Sequence, residues 1–285
     1  MSEYKKVVSF SGGRTSAFLC IKMLEKYGRD HVDFVFMDTG AEHPLTYEFV
    51  RNVNKHYQLD LTCLRLKLNP QLGKGNTYTI VDVADIKPDL KPFKDMTTKY
   101  GVPYIGGMFC TDRMKLTPYK KYCDETYGRN NYETWLGIRQ DEPARLHQRD
   151  GIRYLAEISD AEKVDILDFW KGQPFDLEID EWLGNCVFCP KKSNLKLAAA
   201  HRDVDNQIYV DFIDTITSQN VRVDDNTGHY SRMYRGKQSL ESLIKNYEMF
   251  TRDEIVNRIR STKKLDTGSC SESCEVFNDE TYGSD

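Results

Sequence analysis

The stretch VVSFSGGRTSAF, residues 7–18, runs from an apolar segment through a turn of small residues into a helical pattern. Residues 7–10 predict a buried strand, and residues 15–27 predict a helix. The first turn of a helix directs unpaired backbone N–H groups at one spot, where the helix dipole also favours negative charge. The stretch therefore predicts an anion site, and the alternative is an ordinary strand–helix turn built from small residues.

The turn carries the residue types that a phosphate group needs. Two glycines allow the backbone to approach closely, serine hydroxyls donate hydrogen bonds, and a guanidinium suits the geometry of phosphate. The pattern is neither the GxxxxGK[ST] loop nor the GxGxxG fingerprint. The predicted phosphate contacts are Ser9, Ser11, Gly12, Gly13, Arg14, Thr15 and Ser16.

Strand and helix patterns alternate along the first half of the chain, which predicts parallel strands covered on both faces. The expected fold class is α/β: a twisted, mainly parallel sheet of about five strands with helices on both faces, plus a helical C-terminal appendage. Residues 69–107 are polar and contain prolines, which predicts a long excursion with little regular structure. Further strands are predicted at residues 32–37, 61–66 and 132–138, and further helices at residues 46–57, 111–127 and 158–170, the last capped by Ser159 or Asp160.

Length and composition limit the class of protein. The 285 residues fit an α/β domain at residues 1–190, a helical appendage at residues 191–265 and an acidic tail at residues 266–285. The net charge of −4 argues against a protein that coats nucleic acid without sequence preference. Neither a signal-peptide pattern nor a long apolar run is found, so we expect a cytoplasmic protein without a membrane partner. The eight cysteines then favour metal or redox chemistry over disulfides.

Four more motifs follow SGGRTS along the chain. They are FVFMDTGAEHPLTYEFV at residues 34–50, FCTDRMKLTP at residues 109–118, LGIRQDEPAR at residues 136–145 and NCVFCP at residues 185–190. In this order they resemble the PP-loop ATP pyrophosphatase and phosphoadenylylsulfate (PAPS) reductase superfamily, and most of all its thiolation-enzyme branch. The resemblance implies an adenine nucleotide alpha hydrolase-like fold that binds ATP or PAPS with Mg²⁺.

The motifs contain further polar candidates for the site. Asp38 ends an apolar strand, where contact with a nucleotide or Mg²⁺ competes with a role in capping the next turn. Arg139 and Arg145 suit a clamp for phosphate or sulfonate, and the alternative is a salt-bridged loop. Lys115 is a second candidate for an anion contact. The predicted nucleotide contacts in these motifs are Asp38, Thr39, Gly40, Gly137, Arg139 and Arg145.

Two positions depart from the superfamily pattern. Arg14 and Thr15 stand where ATP pyrophosphatases usually carry Lys-Asp, and the missing carboxylate leaves the Mg²⁺ arrangement open. Phe109 precedes Cys110 where cluster-bearing PAPS reductases have two adjacent cysteines. A four-cysteine cluster of that kind is therefore not expected.

Three cysteines form the predicted metal site. Cys186 and Cys189 have the CxxC spacing of a metal knuckle, and Cys110 opens a helix, where a thiolate is favoured. Because a fourth cysteine ligand is hard to find, the expected cofactor is a 4Fe–4S cluster with one open iron. Such a cluster resembles the three-cysteine clusters of tRNA thiolation enzymes. The alternative is a structural Zn²⁺ completed by a histidine, a water molecule or a tail cysteine.

Three functions stay open. The first is an ATP-dependent sulfurtransferase that adenylylates an acceptor, releases pyrophosphate and then transfers sulfur; the resemblance implies a tRNA or DNA acceptor and a sulfur donor. The second is a true PAPS reductase whose nucleophile is a tail cysteine, and the third is a non-catalytic, metal-stapled nucleotide-binding adaptor. A homodimer is a further expectation. The predicted catalytic residues are Arg14, Asp38, Lys115, Arg139 and Cys274.

Overall fold

The structure, a computed structural model, describes residues 4–223 and 233–262. Within these residues six strands form one sheet. They are β1 (Lys5–Phe10), β2 (Val32–Asp38), β3 (Thr62–Lys67), β4 (Thr77–Val81), β5 (Tyr132–Leu136) and β6 (Ile152–Tyr154). Their order across the sheet is β4-β3-β2-β1-β5-β6.

The sheet is parallel except at one edge. β1 pairs in parallel with both β2 and β5, and β3 and β6 extend the parallel sheet on either side. Only β4 runs antiparallel, beside β3. The chain moves outward from β1 and later returns to its other side at β5, so the strand order reverses there. Open α/β sheets bind ligands at the carboxyl ends of strands beside such a reversal.

Helices cover both faces of the sheet, as the sequence predicts. Alternate residues of the central strands point to opposite faces: Val8 and Phe10 belong to one apolar cluster and Val7 to another. The helices are α1 (Arg14–Tyr27), α2 (Pro44–Tyr57), α3 (Lys91–Tyr100), α4 (Phe109–Thr111), α5 (Thr117–Tyr127), α6 (Lys163–Lys171), α7 (Asn194–Asp203), α8 (Asn206–Thr217), α9 (Leu240–Lys245) and α10 (Arg252–Ser261). Helices α1, α2 and α6 pack in the first cluster, and α5 packs in the second.

Residues 69–107 contain more regular structure than the sequence predicts, since they include β4 and α3. β4 is a short edge strand whose side chains are all at least partly exposed. The glycines and prolines before and after it favour a loop in the sequence pattern. In α3 a proline stands in the first turn, where it is compatible with a helix, although the sequence pattern treats it as a breaker.

Two predicted helices differ in detail from the observed ones. The helix expected at residues 158–170 begins only at Lys163, and Glu162 is its cap instead of Ser159 or Asp160. The Ser159 hydroxyl accepts a hydrogen bond from the N–H of Ala161 and so builds a turn before the helix. The helix expected at residues 111–127 is interrupted by a π-helical turn, Asp112–Leu116, between α4 and α5.

The helices after residue 190 share an apolar cluster with earlier parts of the chain. Leu197, Phe212 and Leu240 pack in one cluster with Phe93 and Phe188. Apolar packing therefore crosses the predicted domain boundary at residue 190. The predicted acidic tail at residues 266–285, with Cys270 and Cys274, lies outside the described residues. No described helix combines the length and the apolar character that crossing a bilayer requires.

The end of β5 packs directly against the start of α1, and this contact requires a glycine. A Cβ atom at Gly137 would lie 2.9 Å from Cα and 3.0 Å from the backbone N of Ser16. We predict that Gly137→Ala lowers the free energy of unfolding by about 1–3 kcal/mol, because the backbone of α1 must move away. Urea denaturation measures this, with Gly75→Ala as the control.

Gly75 has open space around its Cα, and its substitution should change the stability by less than about 1 kcal/mol. A Gly137→Ala protein as stable as the wild type would contradict the packing described for β5 and α1.

Candidate functional site

The loop between β1 and α1 is held together by its own serines. Ser16 Oγ accepts a hydrogen bond from the N–H of Ser11 at 3.2 Å and donates one to the carbonyl of Gly13 at 3.0 Å. The hydroxyls of Ser11 and Ser16 are 2.9 Å apart. Gly13 is the N-cap of α1 and has no side chain that could accept hydrogen bonds from the first turn. The first-turn N–H groups therefore keep their capacity to bind an anion.

A side chain added at Gly12 would point into the protein core. Its φ is +82°, and an added Cβ would lie 2.9 Å from Thr46 Cγ2 and 3.3 Å from both Phe36 and Val50. A side chain at this position would therefore occupy core space. Substitution here strains the backbone and disturbs the core.

A small cavity of about 10 Å³ lies above this loop. The Thr46 hydroxyl on its wall is buried and has no hydrogen-bond partner among the described residues. Ser9, at the end of β1, is also buried. The cavity is lined by Ser11, Gly12, Gly13, Thr46, Leu177, Ile179, Gly184 and Asn185.

Arg14 makes contacts that the sequence does not predict. Its Nε lies 2.6 Å and its Nη2 lies 2.9 Å from the two carboxylate oxygens of Asp176. Nη2 also donates to the carbonyl of Leu177. The guanidinium, expected to contact phosphate, is thus bound to a carboxylate of the chain itself.

Asp38 is fully buried at the end of β2 and makes several contacts. It accepts hydrogen bonds from Arg65 at 2.6 Å, from the Tyr47 hydroxyl at 3.1 Å and from the N–H of Gly40 at 2.9 Å. Burial raises the pKa of the Asp38 carboxyl, and the positive charge of Arg65 opposes this effect. Arg65 also pairs with Asp89 at 2.8 Å.

Sequence reasoning missed Arg65, although a signal was available. Arg65 stands directly beside Asp38 in the parallel register of β2 and β3. An arginine in an apolar strand next to a buried carboxylate is typical of a charge-compensating pair.

The two arginines after β5 lie together around Glu142. Arg139 donates to Asp141 at 2.8 Å and lies 3.4 Å from Glu142, and Arg145 also pairs with Glu142. Arg139 further donates to the Thr15 hydroxyl at 3.3 Å, which connects this loop to the start of α1. The arrangement has the ion pairs of a salt-bridged loop and places Arg139 beside the predicted phosphate site.

The three predicted metal ligands line one cavity of about 40 Å³. Cys186 and Cys189 belong to the CxxC segment, and Cys110 lies in α4. Lys115 lies in the π-helical turn that follows and also lines this cavity; π-helical turns often mark functional sites. We call this the thiol cavity. Thr39 reaches it as well, with Oγ1 3.8 Å from Cys186 Sγ.

Charged groups next to the thiol cavity are buried. Glu42 forms a backbone bridge with Cys186, and its Oε1 lies 3.5 Å from Nζ of Lys115. Its other oxygen, Oε2, is buried without a hydrogen-bond partner among the described residues. Burial raises the pKa of Glu42 against the effects of Lys115 and Lys192. Burial disfavours the charged form of Lys115, but Glu42 and the cysteines outweigh it, and the lysine pKa is raised.

The thiol cavity is not arranged as a metal centre in this structure. Across residues 4–223 and 233–262, no group of three histidine, cysteine or acidic side chains is placed to hold a metal ion. Burial raises the pKa of the Cys186 thiol to about 12. As placed in the described part of the chain, the three cysteines do not converge on one metal position and so do not fit a bound cluster or Zn²⁺.

The two cavities share a wall. Asn185 lines both the cavity above the loop and the thiol cavity. It has a positive φ of 55°, which asparagine tolerates better than most residues. The predicted phosphate site and the three cysteines are therefore neighbours.

The pair of Asp38 and Arg65 leads to a prediction on stability and pH. Without Arg65 the buried Asp38 loses its compensating charge, and we predict that Arg65→Met costs about 3–5 kcal/mol at pH 8. The substitution raises the pKa of Asp38 in the folded state still further. A carboxyl with a raised folded-state pKa destabilises the fold increasingly as pH rises above its unfolded-state pKa of about 4.

The loss of stability should therefore be smaller at pH 5 than at pH 8, as measured by urea denaturation. Lys67→Met, which removes an exposed cation from the same strand, is the control and should show almost no loss. An equal loss for Arg65→Met at both pH values would contradict the role given to Asp38.

Three comparisons relate the chain to known proteins. Residues 5–166 match the model of the phosphoadenosine phosphosulfate reductase domain. A relative from Escherichia phage lambda, named "Uncharacterized nin region protein ORF290", is 53% identical over 276 residues, or 95% of this chain and 94% of the relative. An uncharacterized protein of Methanocaldococcus jannaschii is 30% identical over 136 residues, or 48% of this chain and 23% of that protein.

A solved structure shows a partial similarity to this chain. It is the PAPS reductase of Candida auris in complex with phosphate, with a TM-score of 0.36 and 15% identity over 59% of this chain and 71% of that chain. The family model covers more than half of the sequence, and the phage relative matches it over almost the full length. The chain therefore belongs to the phosphoadenosine phosphosulfate reductase domain family, whose members bind adenine nucleotides.

Proposed function

We propose that the chain binds an adenine nucleotide with its phosphates against the loop of residues 11–16 and transfers sulfur at the thiol cavity. The observation that carries the proposal is the position of Asn185, which lines both cavities. A nucleotide phosphate on one side of this residue and a sulfur atom on the other would lie close enough to act on one substrate group. Membership in the family supports the nucleotide.

With ATP, an oxygen of the acceptor attacks the α-phosphorus, and pyrophosphate leaves. A sulfur species then displaces AMP from the acceptor, so that sulfur takes the place of oxygen. The N–H groups at the start of α1 stabilise the charge on the phosphates. Arg139 adds positive charge beside Thr15. Lys115, on the wall of the thiol cavity, stabilises an anionic sulfur.

Mg²⁺ is expected with ATP from the resemblance, and it would neutralise phosphate charge when bound. The carboxylate assigned to it, Asp38, accepts hydrogen bonds from Arg65, Tyr47 and Gly40. Thr15 stands where the superfamily supplies a second carboxylate. These residues do not fit a Mg²⁺ site as they stand, and the proposal uses no step through the metal.

The acceptor is proposed from the resemblance of the motifs to nucleic-acid thiolation enzymes. It would be tRNA or DNA, and a separate sulfur donor would supply the thiol cavity. We propose that one of Cys110, Cys186 and Cys189 receives a sulfane sulfur from the donor as a persulfide, whose outer sulfur attacks the adenylylated acceptor as AMP leaves. A second thiol of the cavity then attacks the cysteine sulfur and releases the thiolated acceptor as a disulfide forms, and an external thiol reductant restores the two thiols.

A reductase is the second candidate, and the family match favours it. In that reaction a thiolate attacks the sulfur of PAPS, adenosine 3′,5′-bisphosphate leaves, and a second thiol releases sulfite as a disulfide forms. The tail residue first considered for this role, Cys274, lies outside the described residues. Two thiols of the thiol cavity are an alternative source.

Product analysis distinguishes the two candidates. The full-length protein is incubated with ATP or PAPS, and pyrophosphate and sulfite are measured. Gly13→Asp is predicted to abolish nucleotide binding and both products, because it places a carboxylate where the phosphates bind. Aspartate is a favourable N-cap, and Gly13 has φ −96° and ψ 162°, so helix α1 should be retained.

Gly75→Asp is the matched control, since it adds the same charge at a glycine with open space around it. It should bind nucleotide as the wild type does. Wild-type affinity for both nucleotides in Gly13→Asp would contradict the proposed phosphate site.

The 4Fe–4S cluster stays a prediction of the sequence resemblance, and metal analysis tests it. After anaerobic purification, the cluster predicts a brown protein with iron and sulfide in equal amounts. Cys110→Ala should then lose most of the iron. A colourless protein with one Zn²⁺ per chain and no sulfide would contradict the cluster, as would full iron retention in Cys110→Ala.

A further inference from the structure

The ion pair between Arg14 and Asp176 connects the segment of residues 172–180 to the loop of residues 11–16. The segment of residues 172–180 has no helix or strand and joins α6 to the short helical turn Glu181–Leu183. Leu177 and Ile179 from this segment line the cavity above the loop. The pair of Arg14 and Asp176 is about three-quarters buried, with side chains 25% and 24% exposed.

The segment is anchored by hydrogen bonds at both ends, and its middle is held by the apolar packing of Phe175 and Leu177 and by Arg14. At one end, Gln173 accepts a hydrogen bond from the Tyr57 hydroxyl at 2.7 Å. At the other end, the Trp182 indole donates to Asp203 at 2.7 Å. Between these points, the hydrogen bonds to the loop run from Arg14 to the Asp176 carboxylate and to the Leu177 carbonyl.

The space left under the segment is too small for a phosphate chain. A cavity of about 10 Å³ has room for about one water molecule. A nucleotide that binds at the loop must therefore displace Leu177 and Ile179, and with them the carboxylate next to Leu177. A guanidinium binds carboxylate and phosphate with the same two-pronged geometry, so a phosphate can replace Asp176 on Arg14.

We infer that Asp176 is an internal competitor of the nucleotide: it occupies Arg14 in the nucleotide-free protein, and a phosphate group replaces it on binding. This inference rests on the proposed function, because it needs a nucleotide at the loop. Arg14 then makes the phosphate contact that the sequence predicts for it, but only after Asp176 has been displaced. The apparent affinity is lowered by the fraction of protein in which Asp176 holds Arg14.

Neutralising Asp176 tests the competition. Titration calorimetry with ATP and with PAPS compares the full-length wild type, Asp176→Asn and Glu178→Gln. Glu178 is exposed and lies two residues away, so its variant makes the same change of charge without the contact to Arg14. We expect Asp176→Asn to bind at least about fivefold more tightly than the wild type and Glu178→Gln to match the wild type.

Two further variants separate competition from a structural role. Asp176→Ser removes the charge with a smaller side chain and should show the same gain. In the Arg14→Gln background, the gain from Asp176→Asn should disappear, because no guanidinium is left to release. If the pair of Arg14 and Asp176 only stabilised the loop, both Asp176 variants would bind nucleotide as weakly as the wild type or more weakly.

The outcomes separate this inference from the proposed function. If the wild type binds nucleotide and neither Asp176 variant binds more tightly, the inference is wrong and the proposed function stands. If neither the wild type nor the Asp176 variants bind ATP or PAPS, the proposed function fails and the inference fails with it.

Discussion

The parallel pairing of β1 with β2 and β5 is the constraint on which the rest of the structure depends. It brings the ends of three strands to one edge, so that three loops far apart in sequence meet there. Gly137 permits one close contact between them, because an added Cβ there would meet the backbone of Ser16. The serine-rich loop is thereby held rigidly enough to present N–H groups to a ligand. The CxxC segment joins the same edge through the bridge between Glu42 and Cys186.

Charge at this edge is compensated almost entirely within the protein. Asp38 is paired with Arg65, Glu142 with two arginines, and Arg14 with Asp176. Such pairs resist disruption, because removal of one partner leaves a buried charge. A bound phosphate must therefore compete with the carboxylates of the chain. The buried Oε2 of Glu42 and the buried hydroxyl of Thr46 have no hydrogen-bond partner among the described residues, so each can accept a further polar contact.

Much of the fold and part of the site could be predicted from the sequence. The apolar strands, the glycine-rich turn and the three cysteines carry local patterns, and their convergence follows from parallel strand order. The edge strand β4 and helix α3 could not be predicted, because one is a short exposed strand among glycines and prolines and the other has a proline in its first turn. Asp176 could not be predicted as the partner of Arg14 either. The two residues are 162 positions apart, and no local pattern connects them.

The most direct test of the account is a crystal structure with an ATP analogue that cannot be cleaved between the α- and β-phosphorus. The account predicts phosphates that accept hydrogen bonds from the N–H groups of residues 12–16, with the α-phosphorus facing Asn185 and the thiol cavity. An analogue bound elsewhere on the protein, with the loop cavity still closed by Leu177 and Ile179, would contradict it.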